Sequence, residues 1–157
     1  MHIPDIIRID RIAVEAKIRS RKSALEKLSF MLSSADHSLA SQTILETLLN
    51  RERLGTTGLG DGIAIPHGRV ETKLVAIGAF LRIENPVDFG AADNRPVDLF
   101  FALCVPEEAN EVHLALLAEL GIKFREKVFV ERLRQAVDAE EIMACFSETA
   151  DVRNVKT

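Results

Sequence analysis

The sequence predicts an α/β (α+β) fold, a single-domain sandwich in which a central mixed parallel and antiparallel sheet of about five strands is flanked by helices. Strand-like apolar segments lie in the middle of the chain, whereas apolar residues at helical spacing lie towards both ends. The strands follow one another too closely for a crossover helix to join each pair, which indicates a mixed sheet. The 157 residues fit one domain, which we expect to span 1–157 with its core at about 5–149.

The first part of the chain predicts one strand followed by two helices. Residues 1–11 are mixed and irregular, and the alternation of apolar side chains over 12–18 indicates a first strand. A helix opened by a serine extends over about 20–35, with an apolar stripe at helical spacing. A second amphipathic helix spans about 38–53 and ends at Gly55, which is a typical stop signal.

Two apolar segments in the middle of the chain predict the central strands. The first, Leu74–Ile83, is almost entirely apolar and rich in branched side chains, and Asn85-Pro86 is expected to end it. A further short strand is expected at Val87–Phe89, before a turn-rich loop. The second apolar segment, Val97–Val105, is ended by Pro106.

Helices are expected from there to the end of the chain. Asn110 is the expected N-cap of a helix that extends to about Phe124. Two more helices are expected at about 126–137 and 139–149, the last of them capped by Asp138. The final eight residues are polar, and we expect them to fray.

Composition excludes several classes of function. The net charge is −4 and neither Trp nor Tyr is present, so the chain lacks the basic face that is typical of nucleic-acid binding. No apolar segment approaches the roughly 20 residues of a membrane span, and the N-terminus does not read as a signal peptide. We therefore expect a cytoplasmic protein with no nucleic-acid partner and no membrane insertion, in which Cys104 and Cys145 are buried free thiols.

The stretch around which the rest is organised is 55–69, which has four glycines within eight positions. Residues 63–65 are long enough for a short strand, and Pro66 biases the residue before it towards extended backbone. His67 follows, and Gly68 is expected to let the chain turn away at once. This pattern predicts one imidazole held at the mouth of a strand with little side-chain bulk around it, as an accessible nucleophile needs.

The glycine-rich stretch does not match other glycine motifs. It lacks the Gly-Lys-Ser/Thr ending of a P-loop, and a strand follows it where a dinucleotide loop needs a helix. The sequence has no Gly-x-Ser-x-Gly elbow. His67 and His113 are well separated and lack a nearby pattern of Cys or carboxylate ligands, so they do not form a metal-ligand set. We expect neither a cofactor nor a metal.

Residues 58–68, GLGDGIAIPHG, resemble the active-site signature of the IIA domains of the phosphoenolpyruvate-dependent phosphotransferase system. The similarity is to the mannitol/fructose-type superfamily, and most closely to the nitrogen-regulatory IIA proteins. It continues in 93–106 and in the helix that carries His113, and it covers nearly the whole chain. The resemblance implies the mannitol/fructose-type IIA fold and a histidine phosphocarrier that needs no metal.

The resemblance also implies roles for individual residues. His67 is expected to carry the phosphoryl group on Nε2, and His113 to bind that group or to orient His67. In the family, an arginine followed by a glutamate lies sixteen residues before the active histidine, which corresponds to Arg51 and Glu52. We therefore expect Arg51, in preference to Arg53, to stabilise the phosphoryl group, because an arginine fork suits phosphate oxygens. Both arginines also suit a helix C-terminus on dipole grounds.

Three residues among the glycines leave alternatives open. Asp61 stands where members of the family often carry Asn. Its carboxylate could raise the pKa of His67, repel phosphate, or point to solvent. Leu59 and Ile63 either contribute to the surface on which a donor docks or pack in the core.

The resemblance implies partners as well. The expected donor is an HPr-like phosphohistidine carrier (NPr), and potassium-transport or sensor-kinase proteins are expected among the regulated targets. Two other functions stay open: a sugar-specific IIA component that passes phosphate to a IIB permease domain, and a regulatory binding module that has lost phosphotransfer. The chain has no attached IIB or membrane domain, which favours the nitrogen-related carrier. The presence of Arg51, His67 and His113 together argues against the inactive module.

Overall fold

The structure, a computed structural model, describes residues 1–148 and contains a six-stranded sheet flanked by helices. The strands are β1 (Ile12–Ala16), β2 (Gly58–Gly60), β3 (Ile63–Ala64), β4 (His67–Val70), β5 (Ile77–Val87) and β6 (Val97–Pro106). The helices are α1 (Arg21–Ser33), α2 (Ser41–Arg53), α3 (Asn110–Lys123), α4 (Lys127–Gln135) and α5 (Ala139–Ser147). Two short 3-10 turns, Ile3–Asp5 and Ile9–Arg11, precede β1.

The sheet is mixed, as the sequence predicts. β1 runs parallel to β5, and β5 pairs antiparallel with β6. β3 and β4 both run parallel to β6 and follow one another along the same side of it, so that Ile63 lies opposite Leu99 and His67 opposite Leu103. β2 lies beyond β3 and pairs antiparallel with it. The α/β class and the flanking helices are therefore confirmed.

Each face of the sheet has its own apolar cluster. Phe100 and Phe101 are neighbours in β6 and both fully buried, but they belong to different clusters because successive strand residues point to opposite faces. Leu28 of α1 and Leu48 of α2 pack in the cluster of Phe100. The other cluster contains Phe101 and the side chains of α3, α4 and α5, with Phe146 at the centre of four edge-on aromatic contacts.

The strand predictions need three corrections. The expected separate strand at Val87–Phe89 does not form, because Val87 is the last residue of β5 and the next two residues belong to no strand. β1 ends at Ala16 and not at about residue 18, directly after Glu15, whose φ is +55°. Asn85-Pro86 does not end the long central strand, because β5 continues to Val87. Proline cannot donate a ladder hydrogen bond, and the pairing of β5 with β6 is irregular between Arg82 and Val87, where that donor is not needed.

Two strands of the glycine-rich region were not predicted. β2 consists of Gly58, Leu59 and Gly60, and such a short glycine-rich strand carries no alternating pattern. β4 contradicts the expectation that the chain turns away at Gly68, which instead pairs with Cys104 in the middle of β4. The imidazole therefore begins a strand and does not stand beside a turn.

Two predicted N-caps agree with the structure, and two predicted helix starts differ from it. Ser20 caps α1 by accepting from the N–H of Ser23, and Asp138 caps α5 by accepting from the N–H of Glu141. α2 begins at Ser41 and not at about 38, because Ser38 is held in a turn by the side chain of Asp36. Asn110 is the first residue of α3 and not its N-cap, and its side chain accepts from Arg69 instead.

The last two helices end earlier than expected: α4 ends at Gln135 and not at about 137, and α5 ends at Ser147 and not at about 149, because the backbone of Glu148 is extended. The expected fraying of the final eight residues lies outside the residues that the structure describes.

Candidate functional site

The residues on either side of His67 fix its position at the start of β4. The carbonyl of Pro66 accepts from the N–H of Leu103 at 2.9 Å, which ties the segment before β4 to β6. Gly68 lies so close to α2 that a Cβ atom built on it would be 2.5 Å from Cγ2 of Thr47. A residue without a side chain is therefore required after the histidine because a helix packs closely against it, and not because the chain turns there.

The two ring nitrogens of His67 have different surroundings. Nδ1 lies 2.8 Å from the carbonyl oxygen of Ile65, which can only accept, so Nδ1 carries the proton. Nε2 is then the nitrogen with the free lone pair. Burial of the half-buried ring lowers the pKa of His67, the bond to Ile65 raises it, the charge of Arg51 lowers it and that of Glu52 raises it; the net direction is down. The ring is therefore neutral near pH 7.

His113 lies against this ring. It is on the first turn of α3, and its ring centroid is 5.2 Å from that of His67, with 69° between the ring planes. The residue is 8% exposed, and neither ring nitrogen has a hydrogen-bond partner within residues 1–148. Burial, and then the charges of His67, Arg69 and Arg51, lower the pKa of His113 to about 4. A neutral buried imidazole with a donor and an acceptor to offer is unusual unless a ligand binds there.

The structure separates the two candidate arginines. The charge of Arg51 lowers the pKa of both His67 and His113, and its Nη1 donates to the carbonyl of Gly55 at 2.8 Å. Arg53 instead donates to the side chain of Asn50 at 2.6 Å, and its charge is not among the causes that shift either histidine. The structure thus brings Arg51, His67 and His113 together and directs Arg53 elsewhere.

The structure also decides where the side chains of Asp61, Leu59 and Ile63 lie. The carboxylate of Asp61 is exposed and lies 3.0 Å from Nη1 of Arg95, and its charge is not among the causes that shift the pKa of His67. Ile63 is 1% exposed and packs in the core, so it cannot belong to a docking surface. Leu59 is 52% exposed on β2 and stays available for docking.

Sequence reasoning missed two groups that act on the site. Arg69 follows His67 by two positions in β4, a spacing that puts both on one face, and its charge helps to lower the pKa of His113. Glu52 is a buried carboxylate that accepts from Thr57 and Arg21. Its position four residues after Leu48, on the apolar stripe of α2, was the available signal for burial.

The family is decided by comparison with known proteins. Residues 5–149 match the family model described as "Phosphoenolpyruvate-dependent sugar phosphotransferase system, EIIA 2". The chain belongs to this family. The resemblance read from residues 58–68 is therefore confirmed.

Several curated relatives match nearly the whole length of the chain. It is 39% identical over 154 residues to the nitrogen regulatory protein of Pseudomonas aeruginosa, with 98% of each chain covered. It is 38% identical over 149 residues to that of Klebsiella oxytoca, covering 94% of this chain and 91% of the relative. The similarity to the nitrogen-regulatory members is thus confirmed as well.

Solved structures agree with the fold. The nitrogen regulatory protein IIA-Ntr from Neisseria meningitidis superposes with a TM-score of 0.86 at 40% identity, covering 92% of this chain and 98% of that one. IIA mannitol from Escherichia coli superposes with a TM-score of 0.74 at 22% identity, over 90% and 99% of the two chains. Among the described helices, none is long and apolar enough to cross a bilayer.

Proposed function

We propose that this chain is a histidine phosphocarrier of the nitrogen-related phosphotransferase system, with His67 as the acceptor. The observation that carries the proposal is the asymmetry of the His67 ring. The bond from Nδ1–H to the carbonyl of Ile65 leaves the lone pair on Nε2, and the lowered pKa keeps that lone pair free near neutral pH. A nucleophilic nitrogen at neutral pH is what a phosphohistidine carrier requires.

The proposed reaction is an in-line displacement. The Nε2 lone pair of His67 attacks the phosphorus of a donor phosphohistidine, and the phosphorus–nitrogen bond of the donor breaks as the new one forms. The bond electrons return to the donor ring, and the Nδ1–H bond to Ile65 is kept throughout. No proton has to leave His67 for the step to proceed.

Arg51 and His113 are the proposed stabilisers of the transferred group. Charge in the transition state lies largely on the peripheral phosphoryl oxygens, so fixed donors aimed at them supply most of the catalysis. The Arg51 guanidinium offers a charged fork. Neutral His113 offers one N–H that has no other partner among the described residues. This role also explains why a buried imidazole is left without partners.

Regulation of other proteins according to phosphorylation state is the second part of the proposal. Its support is the similarity to several proteins named nitrogen regulatory protein, at 38–39% identity over nearly the full length of the chain. Phosphorylation adds about −1.5 to −2 charges at a half-buried site, which is enough to change partner binding. We expect an HPr-like carrier (NPr) as the donor, a cytoplasmic setting, and potassium-transport or sensor-kinase proteins among the targets.

The test is phosphoryl transfer from a charged donor. The protein is incubated with phosphoenolpyruvate, enzyme I and an HPr-like carrier, and acid-labile phosphate is followed by intact mass. We expect label on the wild type and on His37→Ala, an exposed histidine outside the site, and none on His67→Ala. An unlabelled wild type in a system whose donor is shown to be charged would contradict the proposal and favour the binding module.

A sugar-specific role is distinguished in the same system. The chain is 27% identical over 143 residues to the fructose-specific EIIABC component of Bacillus subtilis, of which it covers 22%. Adding an isolated IIB domain to the labelled protein tests the sugar-specific role. The nitrogen-related proposal predicts that the label stays on His67, and its rapid passage to IIB would favour the sugar-specific component.

A further inference from the structure

Glu52 is the most deeply buried carboxylate beside the proposed site. Its side chain is 2% exposed, and it follows Arg51 at the end of α2. Three donors surround it: the N–H of Thr57 at 3.2 Å, the hydroxyl of Thr57, and Nη2 of Arg21 at 3.3 Å. A buried charge is costly unless it is paired and hydrogen-bonded, so this arrangement calls for an explanation beyond helix packing.

The bonds of Glu52 continue to His67. The carboxylate accepts from the N–H of Thr57, and the carbonyl of Thr57 accepts from the N–H of Ile65 at 3.0 Å. The carbonyl of Ile65 in turn accepts from Nδ1 of His67 at 2.8 Å. Three consecutive hydrogen bonds, through Thr57 and Ile65, therefore connect the buried carboxylate with the nitrogen that fixes the tautomer of the His67 ring.

A second connection passes along α2. Arg51 donates to the carbonyl of Gly55, and Glu52 accepts from Thr57, so two adjacent side chains hold the same four-residue loop between α2 and β2. These contacts fix the guanidinium of Arg51 relative to the segment that orients His67. The two side chains also carry opposite charges close to the ring, which partly offset one another at His67.

We propose that Glu52 is a positioning residue for phosphoryl transfer, which holds His67 in its Nδ1–H tautomer through Thr57 and Ile65 and holds Arg51 against the acceptor. This inference rests on the proposed function. It adds a group that never touches phosphate and acts only through its neighbours. Glu52→Gln tests it best, because the amide keeps the size of the side chain but removes its charge and replaces one acceptor oxygen with a donor.

The first readout does not require phosphorylation. Ring nitrogens of His67 are observed by ¹⁵N NMR in the unphosphorylated wild type, Glu52→Gln and Thr57→Val. We expect the Nδ1–H tautomer to dominate in the wild type and to lose population in Glu52→Gln. Thr57→Val should lose less, because it removes only the hydroxyl bond to Glu52 and keeps the backbone N–H and carbonyl through which the connection passes. Burial of the ring, which lies against His113, and the charge of Arg51 lower the pKa of His67, whereas the negative charge of Glu52 raises it. The pKa of His67 should therefore fall in Glu52→Gln, which removes the negative charge. Unchanged tautomer and pKa in Glu52→Gln would overturn the inference.

The second readout is the single-turnover rate of transfer from a charged HPr-like donor. We expect Glu52→Gln to slow transfer by about 10- to 100-fold. Glu119→Gln is the matched control, because Glu119 is a partly buried carboxylate that accepts from the N–H of Ile3 and has no bond to the His67 segment. A loss equal to that of Glu119→Gln would overturn the inference. An unlabelled wild type would contradict the proposed function, while the NMR readout still decides the role of Glu52.

Discussion

At the scale of single residues, the site depends on how two imidazoles are kept neutral for different purposes. His67 is half-buried and has one nitrogen bound to a carbonyl, so its other nitrogen is free to react. His113 is buried against it, with both nitrogens unpartnered among residues 1–148. Burial is the largest cause of the lowered pKa in both rings, and the cationic side chain of Arg51 adds to it. The same cation would also suit the phosphoryl group in the transfer that we propose.

The two arginines at the end of α2 should differ sharply in function. Arg51→Gln should slow phosphoryl transfer by about 100-fold, the order expected for loss of one strong donor to a developing anion. Arg53→Gln should leave the rate within about twofold of wild type, because its side chain is bound to Asn50 and lies outside the site. Single-turnover transfer from a charged donor measures both. A larger loss in Arg53→Gln would reverse the assignment.

His113 should make stability depend on pH in a defined window. Its pKa is about 4 in the folded protein and near 6.5 when unfolded, so below pH 6.5 the unfolded chain binds a proton that the folded protein does not. Stability therefore falls as the pH is lowered from 6.5 to 4, by roughly 3 kcal/mol from this group alone. Urea unfolding of wild type and His113→Gln at several pH values tests this. The variant should show a correspondingly shallower loss, and parallel curves would refute the shifted pKa.

At the scale of elements, β4 and α2 approach each other closely beside His67. Gly68 of β4 lies directly under Thr47 of α2, one turn before Arg51 on that helix. The helix therefore sits as close to the strand as a residue without a side chain allows. This approach sets the distance between the element that carries Arg51 and the element that carries His67.

Gly68→Ala should push these two elements apart. The added Cβ would be 2.5 Å from Cγ2 of Thr47, and overpacking of this kind costs about 1–3 kcal/mol. Thr47→Ser removes that methyl group, so Gly68→Ala should cost clearly less in the Thr47→Ser background. Urea unfolding of the four proteins of this cycle measures the coupling. If the changes in the free energy of unfolding for Gly68→Ala and Thr47→Ser were additive, the added Cβ and the Thr47 methyl group would not be in contact.

The elements that the sequence predicted well are those with a clear period. The apolar stripes of α1 and α2 and the continuous apolar segments of β5 and β6 all formed near their expected positions. β2 and β4 were missed because glycine gives no pattern, and their pairing depends on partners distant in sequence. Pro86 was misread as a strand end because the sequence does not reveal where a ladder is irregular.

The site was predictable in kind but not in its supporting contacts. His67 was marked by its local glycine and proline pattern, and the family resemblance pointed to Arg51 and His113. The burial of His113, the bond from His67 to Ile65 and the bonds of Glu52 could not be read from sequence, because each joins segments through tertiary packing. That one domain spans 1–157 stays a prediction.

At the scale of the whole molecule, the proposed site draws on helices from both faces of the sheet: Arg51 comes from α2 and His113 from α3. His67 begins β4, which pairs with β6, whereas the aromatic side chains of α4 and α5, Phe129 and Phe146, pack against each other in the cluster of Phe101. Packed interiors resist continuous deformation, so a charge added at His67 should change the surface more than the fold. The proposed signal to partners is then a local change in charge and shape.

Phosphorylation should therefore perturb only part of the chain. We expect amide chemical shifts to change in β4, in the loop after α2 and in the first turn of α3, and to stay unchanged in α4 and α5. Comparison of two-dimensional ¹⁵N spectra before and after charging tests this, with acid hydrolysis of the phosphate restoring the first spectrum as the control. Shifts spread throughout α4 and α5 would point to a global rearrangement.

The central claim is that Nε2 of His67 accepts the phosphoryl group while Nδ1 keeps its proton. The most direct measurement is ¹⁵N and ³¹P NMR of the ¹⁵N-labelled protein after charging by an HPr-like donor. We expect phosphorus coupled to Nε2 of His67, with Nδ1 still protonated and bound to the carbonyl of Ile65. Phosphorus on Nδ1 of His67 or on either nitrogen of His113 would contradict it.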